Sequence, residues 1–326
     1  MRYIIALLLT STAAMAEVPT VVTDIPPVQS ITAAVMEGVG TPQMLLGKGA
    51  SPHSYELKPS QAAALSEADL VIWIGPQLTP WLDKALEIRP EGAALLTLLT
   101  TEGTHRQDFA PAEDHDHAEG EDHTHAEGED HDHAEAADHD GEAGHDEHGH
   151  SHTGLDPHAW LDPANGKLWA RAIAAELARI DPDNAAAYAA NADKAVAAID
   201  AADAEAAALL APVKDKPFVA FHDAYGYFVG HYGLASAGTV ALGDAATPGA
   251  KRLAALREKI EHDGAVCIFP EVQHDPALVA QMADGTGIRV GAALDPEGSA
   301  SGETGPAAYP ALLTTLARTL ADCLQG

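Results

Sequence analysis

The sequence predicts an α/β fold of two lobes, each built on a parallel sheet, joined by one long rigid helix. Short apolar runs alternate with helical patterns near the start of the chain and again near its end. This alternation is typical of parallel strands covered by helices. Between the two regions, residues 184–210 are dominated by alanine and contain no glycine or proline. That composition favours one uninterrupted helix between the lobes.

The first 16 residues are excluded from the fold because they are typical of a secretory signal peptide. Arg2 provides a basic start, residues 4–9 form an apolar run too short to span a bilayer, and Ala14-Met15-Ala16 is a small-x-small cleavage site. No cysteine follows that site for lipidation, and no later apolar stretch has anchoring length. We therefore expect a mature protein that is soluble in a bacterial periplasm.

The first lobe is expected to span residues 17–181 and the second lobe residues 212–326. In the first lobe, apolar runs predict strands at 20–23, 44–46, 70–74 and 95–98, with helices at 28–38, 60–68 and 81–86. In the second lobe, they predict strands at 218–221, 238–242, 265–269 and 289–294, with one helix after the first strand and others at 248–262, 276–284 and 309–323.

The helix between the lobes is expected over residues 182–211, starting at the turn sequence Asp181-Pro182-Asp183. With a rise of about 1.5 Å per residue, it would be on the order of 40 Å long and would run along both lobes as a stiff linker. Two shorter helices in succession are the alternative.

The charge of the chain is concentrated in one segment. The 326 residues carry a formal net charge of −31 with histidines neutral, and residues 113–152 contain 16 acidic residues, no Lys or Arg, and 11 of the 18 histidines. The scarcity of Lys and Arg argues against nucleic acid as a partner, since phosphate binding requires clustered basic residues. The remainder has an ordinary globular composition, which excludes a wholly disordered protein.

The acidic segment contains an octapeptide repeated in tandem at 113–120, 121–128 and 129–136, and the repeat becomes irregular from there to residue 152. It has no hydrophobic periodicity, so we expect a disordered loop inserted in the first lobe. Neutral imidazoles bind zinc, copper and nickel, and carboxylates attract cations, so the loop is predicted to hold additional zinc weakly. A purely solubilising linker is the alternative. The candidate ligands of the loop are His115, His117, His123, His125, His131, His133, His139, His145, His148, His150 and His152.

Cys267 and Cys323 are the two cysteines of the chain. In an oxidising compartment an even number favours a disulfide. Two unpaired small residues in the core are the alternative. A zinc site on these thiols is disfavoured because no C-x-x-C spacing occurs.

Three histidines outside the acidic segment occupy positions suited to a site between the lobes. His53 follows the second predicted strand, His158 follows the acidic loop, and His222 closes the first strand of the second lobe. Ligands of open parallel sheets bind beyond the carboxyl ends of the strands, where Asp295 is also expected. Three imidazoles and one carboxylate make a tetrahedral zinc set. The alternative for each histidine is an ordinary hydrogen-bonded side chain.

Other polar residues are given supporting or passive roles. Glu271 is a second choice of oxygen ligand, or a hydrogen-bond partner of a ligand. Asp223 and Glu56 are predicted to orient imidazoles by accepting the N–H that faces away from the metal. Three further histidines are interpreted as surface or capping residues: His231, His262 and His274.

Four motifs follow one another along the chain: His53-Ser54-Tyr55-Glu56-Leu57-Lys58-Pro59-Ser60, Asp156-Pro157-His158-Ala159-Trp160-Leu161-Asp162-Pro163, Phe221-His222-Asp223-Ala224-Tyr225 and Leu294-Asp295-Pro296. In this order they resemble the metal-binding solute receptors that feed zinc and manganese ABC importers, and most closely the periplasmic zinc-binding members. The resemblance covers essentially the whole mature chain. The acidic histidine-rich insertion is a further mark of the zinc members, and the cysteine pair resembles the disulfide of those from Gram-negative bacteria.

The resemblance implies two (βα)4 lobes joined by one long helix, with a metal held in the cleft by His53, His158 and His222. Manganese members tend to carry a glutamate at the position of His222, so an imidazole there favours zinc, which suits nitrogen ligands. Some zinc members have a glutamate where this chain has Pro52. The oxygen ligand is therefore predicted to be Asp295, with water or a residue of the insertion as alternatives.

The function implied is capture of Zn²⁺ in the periplasm, modest closure of the lobes and delivery to the membrane permease of a zinc ABC importer, without enzymatic activity. Accessory periplasmic zinc chaperones are a further class of partner, nucleic acid is not, and a monomer is expected. One rival class is a zinc hydrolase, which is disfavoured because neither H-E-x-x-H nor a nucleophile motif occurs. Another is a metal buffer or adhesin that never meets a transporter.

Overall fold

The computed structural model describes residues 18–109, 154–241, 248–300 and 304–326. The predicted signal peptide lies outside the described residues, and so does the predicted histidine-rich loop with all of its candidate zinc ligands. No helix within the described ranges is long and apolar enough to cross a membrane.

The first lobe is built on a parallel sheet of four strands. The strands are β1 (Val21–Thr23), β2 (Gln43–Met44), β3 (Leu70–Trp73) and β4 (Ala94–Thr97), and the helices between them are α1 (Pro26–Val35), α2 (Pro59–Ser66) and α3 (Pro80–Ala85). The order across the sheet is β2-β1-β3-β4. Every residue of the central strands β1 and β3 is buried, as expected for strands covered on both faces.

Helix α4 (Pro163–Ile180) has no counterpart in the sequence prediction. It begins with two standard start signals, because the Asp162 side chain accepts a hydrogen bond from the Ala164 N–H at 2.8 Å and Pro163 occupies the first turn. Its early residue Gly166 lies against the ring of Tyr309, where a Cβ atom would overlap the aromatic carbons. The helix therefore depends on tertiary contacts that propensity does not reveal.

The alanine-rich segment forms one continuous helix, α5 (Ala185–Leu210), so the alternative of two shorter helices is wrong. Its 26 residues give a length of about 39 Å. Alanines on the buried side let α5 pack closely on α1 and α4. Asn191 also donates from Nδ2 to the carbonyls of Val35 and Glu37 at 3.2 and 2.7 Å, which fixes α5 against the end of α1.

The second lobe repeats the arrangement of the first. Its strands are β5 (Phe218–Ala220), β6 (Ser236–Thr239), β7 (Cys267–Ile268) and β8 (Arg289–Val290), and its helices are α6 (Gly226–Tyr232), α7 (Ala250–Asp263), α8 (Ala277–Ala283) and α9 (Ala308–Gln325). The strands are parallel and lie in the order β6-β5-β7-β8. The predicted fold class, two parallel-sheet lobes with one long helix, is confirmed.

Strand β8 is much shorter than the run predicted at 289–294. Gly291 follows it directly and lies against the ring of Phe269, at a place where a Cβ atom would overlap the ring. The chain leaves the sheet there and pairs again at Leu294, which forms an isolated parallel bridge with Glu271. This departure brings the turn after Leu294 next to the end of β7.

The predicted disulfide between Cys267 and Cys323 is confirmed, with the two Cα atoms 6.3 Å apart. It ties the buried strand β7 to the end of α9. Helix α9 also packs along α5, so the bond links the second sheet to the long helix.

One hydrophobic cluster runs through both lobes. It includes Ile72 of the first sheet, Tyr188 of α5 and Phe218 of the second sheet. Trp160 lies within it, donating from its indole N–H to the Pro296 carbonyl at 2.8 Å and accepting from the Tyr309 hydroxyl at its own carbonyl at 2.6 Å. A close-packed core of this kind opposes wide opening between the lobes.

Candidate metal centre

Three histidines from three separate loops meet between the lobes. One ligating nitrogen from each of His53, His158 and His222 lies within 4.8 Å of the other two. The Nε2 atoms of His53 and His158 are 3.4 Å apart. Zinc holds nitrogen ligands at about 2.0–2.1 Å in a tetrahedron, which places the nitrogens roughly 3.3 Å from one another. The three imidazoles therefore need only a small contraction to enclose a zinc ion.

The local fold explains why the three rings converge. His222 directly follows the buried strand β5 and its neighbour Phe221, and His158 begins the short helical turn at Ala159–Leu161. The loop that carries His53 is anchored by Trp81, whose indole N–H donates to the Pro52 carbonyl at 2.7 Å. His158 and His222 are buried at 2% and 1% exposure, whereas His53 is partly exposed. His53 thus lines the open side of the site.

Glu271 fixes the orientation of His222. A carboxylate oxygen of Glu271 lies 2.5 Å from Nδ1 of His222, and the other accepts from the Tyr225 hydroxyl at 3.0 Å and from the His222 backbone N–H at 3.3 Å. Burial and the charge of Glu271 raise the pKa of Tyr225 well above its usual value, so its hydroxyl stays a donor. With Nδ1–H directed at the carboxylate, the lone pair of Nε2 remains for a metal.

Asp156 fixes the orientation of His158 in the same way. Its Oδ1 atom accepts from the backbone N–H of His158 at 2.9 Å and lies 2.8 Å from Nδ1 of the ring. Sequence reasoning assigned the orienting role to Asp223 and Glu56, and for these two imidazoles that assignment is wrong. Asp156 was recoverable from the sequence, since it stands two residues before His158 in the same motif.

Asp295 caps a turn beside the loop that carries His53. Its Oδ1 atom accepts from the Ser299 N–H at 2.9 Å and its Oδ2 atom accepts from the Ala300 N–H at 2.9 Å. The Ser299 carbonyl in turn accepts from the Gly49 N–H at 3.3 Å, which joins this turn to the His53 loop. Asp295 is not part of the group of three histidines within 4.8 Å, and its role as fourth ligand stays a prediction.

His274 was interpreted as a surface or capping residue, and this is wrong. Its ring stacks on Phe221 with centroids 4.2 Å apart, and its Nε2 atom lies 3.8 Å from Oε2 of Glu271. His222, Glu271 and His274 form a second group with ligand atoms within 4.8 Å. Because Glu271 is already engaged with His222, we treat this group as an extension of the same centre.

The other two histidines agree with the sequence interpretation. The His262 side chain is 89% exposed and pairs with Asp263 at 2.9 Å. His231 of α6 is partly exposed and lies 3.2 Å from Asp162 and 2.8 Å from Asp203. Hydrogen bonding to Asp162 raises the pKa of His231 above its ordinary value. His231 thereby links the second lobe to the start of α4 and to α5.

The two parallel-sheet lobes and the long helix that joins them are the fold of solved periplasmic metal-binding proteins. A manganese-bound periplasmic metal-binding protein from Candidatus Liberibacter asiaticus matches with a TM-score of 0.72 and 19% identity, over 94% of this chain and 99% of that one. The laminin-binding protein Lmb of Streptococcus agalactiae, described as an adhesin with metal-transporting activity, matches with a TM-score of 0.71, 20% identity and the same coverage.

Sequence comparison places the chain more narrowly. It belongs to the ZnuA family, described as zinc-uptake complex component A, periplasmic, whose model matches residues 21–323. The high-affinity zinc uptake system protein ZnuA of Paracoccus denitrificans is 55% identical over 311 residues, covering 95% of this chain and 93% of that protein. The protein of the same name from Brucella suis is 45% identical over 308 residues, covering 94% and 91%.

Proposed function

We propose that the protein is a high-affinity periplasmic receptor that binds Zn²⁺ and delivers it to the membrane permease of an ABC importer. The observation that carries this proposal is the meeting of His53, His158 and His222 between the lobes. A neutral set of three nitrogen donors suits zinc better than manganese or magnesium, which prefer oxygen. The zinc-uptake names of the family and of its 55% and 45% identical members support the same cargo.

The proposal also assigns roles to the segments of the chain and to the fourth metal ligand. Residues 1–16 act as the signal peptide, residues 17–181 and 212–326 are the two lobes, and residues 182–211 link them. Asp295 supplies the fourth ligand once its carboxylate has given up its hydrogen bonds to the N–H groups of Ser299 and Ala300. The mature chain acts as a monomeric receptor without catalytic activity, and accessory zinc chaperones are a further class of partner.

The acidic insertion is proposed to collect zinc through weaker sites. Deleting residues 113–152 is expected to leave one tight zinc site and to lower the total number of ions bound, because the three cleft histidines lie outside the insertion. Zinc titration of the metal-free protein, with bound metal counted by elemental analysis, measures both quantities. Loss of the tight site on deletion would show that the insertion, rather than the cleft, holds the zinc.

A further inference from the structure

A short antiparallel stem leads the chain into the motif that contains His158. We define the stem as residues 107–109 and 154–156. Asp108 and Leu155 form an antiparallel bridge, the Phe109 N–H donates to the Gly154 carbonyl at 2.9 Å, and the Asp156 N–H donates to the Gln107 carbonyl at 2.9 Å. Residues 110–153 connect the two sides of the stem outside the described part of the chain. His158 lies two residues after the stem, so the position of the stem constrains the position of this ligand.

Gln107 reaches from one side of the stem to the carboxylate on the other. Its Nε2 atom donates to Oδ2 of Asp156 at 3.1 Å. The remaining oxygen of Asp156, Oδ1, is the one that accepts from the backbone and ring of His158. Asp156 is only 2% exposed. A buried carboxylate of this kind requires donors on both oxygens. Within the described ranges, Gln107 is the side chain other than His158 that donates to this carboxylate.

The stem is also braced on helix α6 of the second lobe, which begins four residues after His222. The Tyr227 hydroxyl bridges both sides of the stem, accepting from the Gln107 N–H at 3.0 Å and donating to the Asp156 carbonyl at 3.0 Å. Gly226, the first residue of α6, leaves the space for the side-chain amide of Gln107 beside Asp156, since a Cβ atom there would overlap that amide and lie 3.1 Å from Oδ2 of Asp156. The helix following one zinc ligand thus supports the stem preceding another.

We propose that Gln107 is a positioning residue of the metal centre, which holds the Asp156 carboxylate in place and through it the ring of His158. The inference rests on the proposed zinc-binding function. Partners of metal-bound histidines typically change metal affinity 10- to 100-fold when removed. Without Gln107, one buried oxygen of Asp156 loses its donor, and the carboxylate gains freedom to turn away from His158. The position of Nε2 of His158 is then less well defined before zinc binds.

The test is the zinc affinity of the full chain carrying Gln107→Leu, measured by competition with a chelator. We expect a loss of about tenfold, the lower end of the range for such partners. Gln281→Leu is the matched control, since it makes the same change on an exposed residue of α8, and it is expected to leave the affinity unchanged. The visible spectrum of the Co²⁺-loaded protein is expected to change in Gln107→Leu but not in Gln281→Leu, because it reports ligand geometry rather than stability.

A double-mutant cycle tests the route through Asp156. Asp156→Asn is expected to lower zinc affinity 10- to 100-fold, and adding Gln107→Leu to it is expected to lower the affinity no further. If the losses of zinc affinity in the two single variants add in the double variant, Gln107 does not act through Asp156 and the proposal is wrong. If Gln107→Leu does not fold, Gln107→Asn decides the question, because the shorter side chain keeps an amide but draws it back from Oδ2 of Asp156, and it is expected to produce the same loss of zinc affinity.

The outcomes separate this inference from the proposed function. Tight zinc binding in the unmodified chain, together with wild-type affinity and spectrum in Gln107→Leu, overturns the role of Gln107 and leaves the receptor function standing. Absence of tight zinc binding in the unmodified chain overturns the receptor function itself.

Discussion

Replacing His222 with alanine is expected to lower the affinity of the tight zinc site more than about a hundredfold, beyond the range found when only an outer partner of a ligand is removed. His222 is 1% exposed and Glu271 holds its Nδ1 side, so burial and this contact both restrict the orientation of the ring. The substitution removes one of three nitrogen donors and leaves the buried carboxylate of Glu271 without the imidazole it orients. Competition against a zinc chelator measures the change.

His262→Ala is the appropriate control for that measurement. It also removes one imidazole, but from a side chain that is 89% exposed and outside the cleft. We expect it to keep the wild-type affinity of the tight site. If His222→Ala lowers the affinity by less than about tenfold, the loss is smaller than that expected on removing the hydrogen-bond partner of a ligand. Such a result would contradict the assignment of His222 as a ligand.

Removing the disulfide is expected to lower the free energy of unfolding by about 4 kcal/mol on the chain-entropy model. The bond joins residues separated by 56 positions, and a loop of that length restricts the unfolded chain strongly. It also fastens α9 to β7, so its loss loosens a helix that packs on α5. Urea unfolding of the variant Cys267→Ala/Cys323→Ala, compared with the oxidised wild type, measures the difference.

A reducing agent provides the control for the disulfide prediction. The wild type is expected to lose a similar amount of stability in reductant, whereas the double alanine variant is expected to be insensitive to it. A difference below about 1 kcal/mol between the oxidised wild type and the variant would mean that the chain-entropy argument does not hold for this loop.

The alternation of apolar runs and helices was sufficient to predict both sheets, because strands buried on two faces, such as β3, are continuous apolar runs. Helix α4 was missed because Asn165 and Gly166 in its first turn are poor helix formers. Tertiary contacts explain both residues: Asn165 donates to the carbonyls of His105 and Ala159 at 2.9 and 3.0 Å, and Gly166 packs against Tyr309. Such contacts are not visible in a local pattern.

The meeting of the three histidines was predictable because they stand where parallel strands end or where a loop enters a motif. Their partners were harder to predict, since Glu271 lies 49 positions from His222 and approaches it only because β5 and β7 are neighbours. Gln107 is likewise 49 positions from Asp156. The position of Glu271 after the end of a parallel strand was the available signal. From it the sequence predicted Glu271 as a second choice of oxygen ligand or as a hydrogen-bond partner of a ligand, and its contact with His222 agrees with the latter.

The most direct test of the account is the position of zinc itself. Anomalous diffraction at the zinc absorption edge, from crystals of the zinc-loaded protein, locates the ion without assumptions about its ligands. We expect one strong peak at about 2.0–2.1 Å from a ring nitrogen of each of His53, His158 and His222. A strong peak elsewhere, with no peak among these three rings, would contradict the assignment of the cleft as the zinc site.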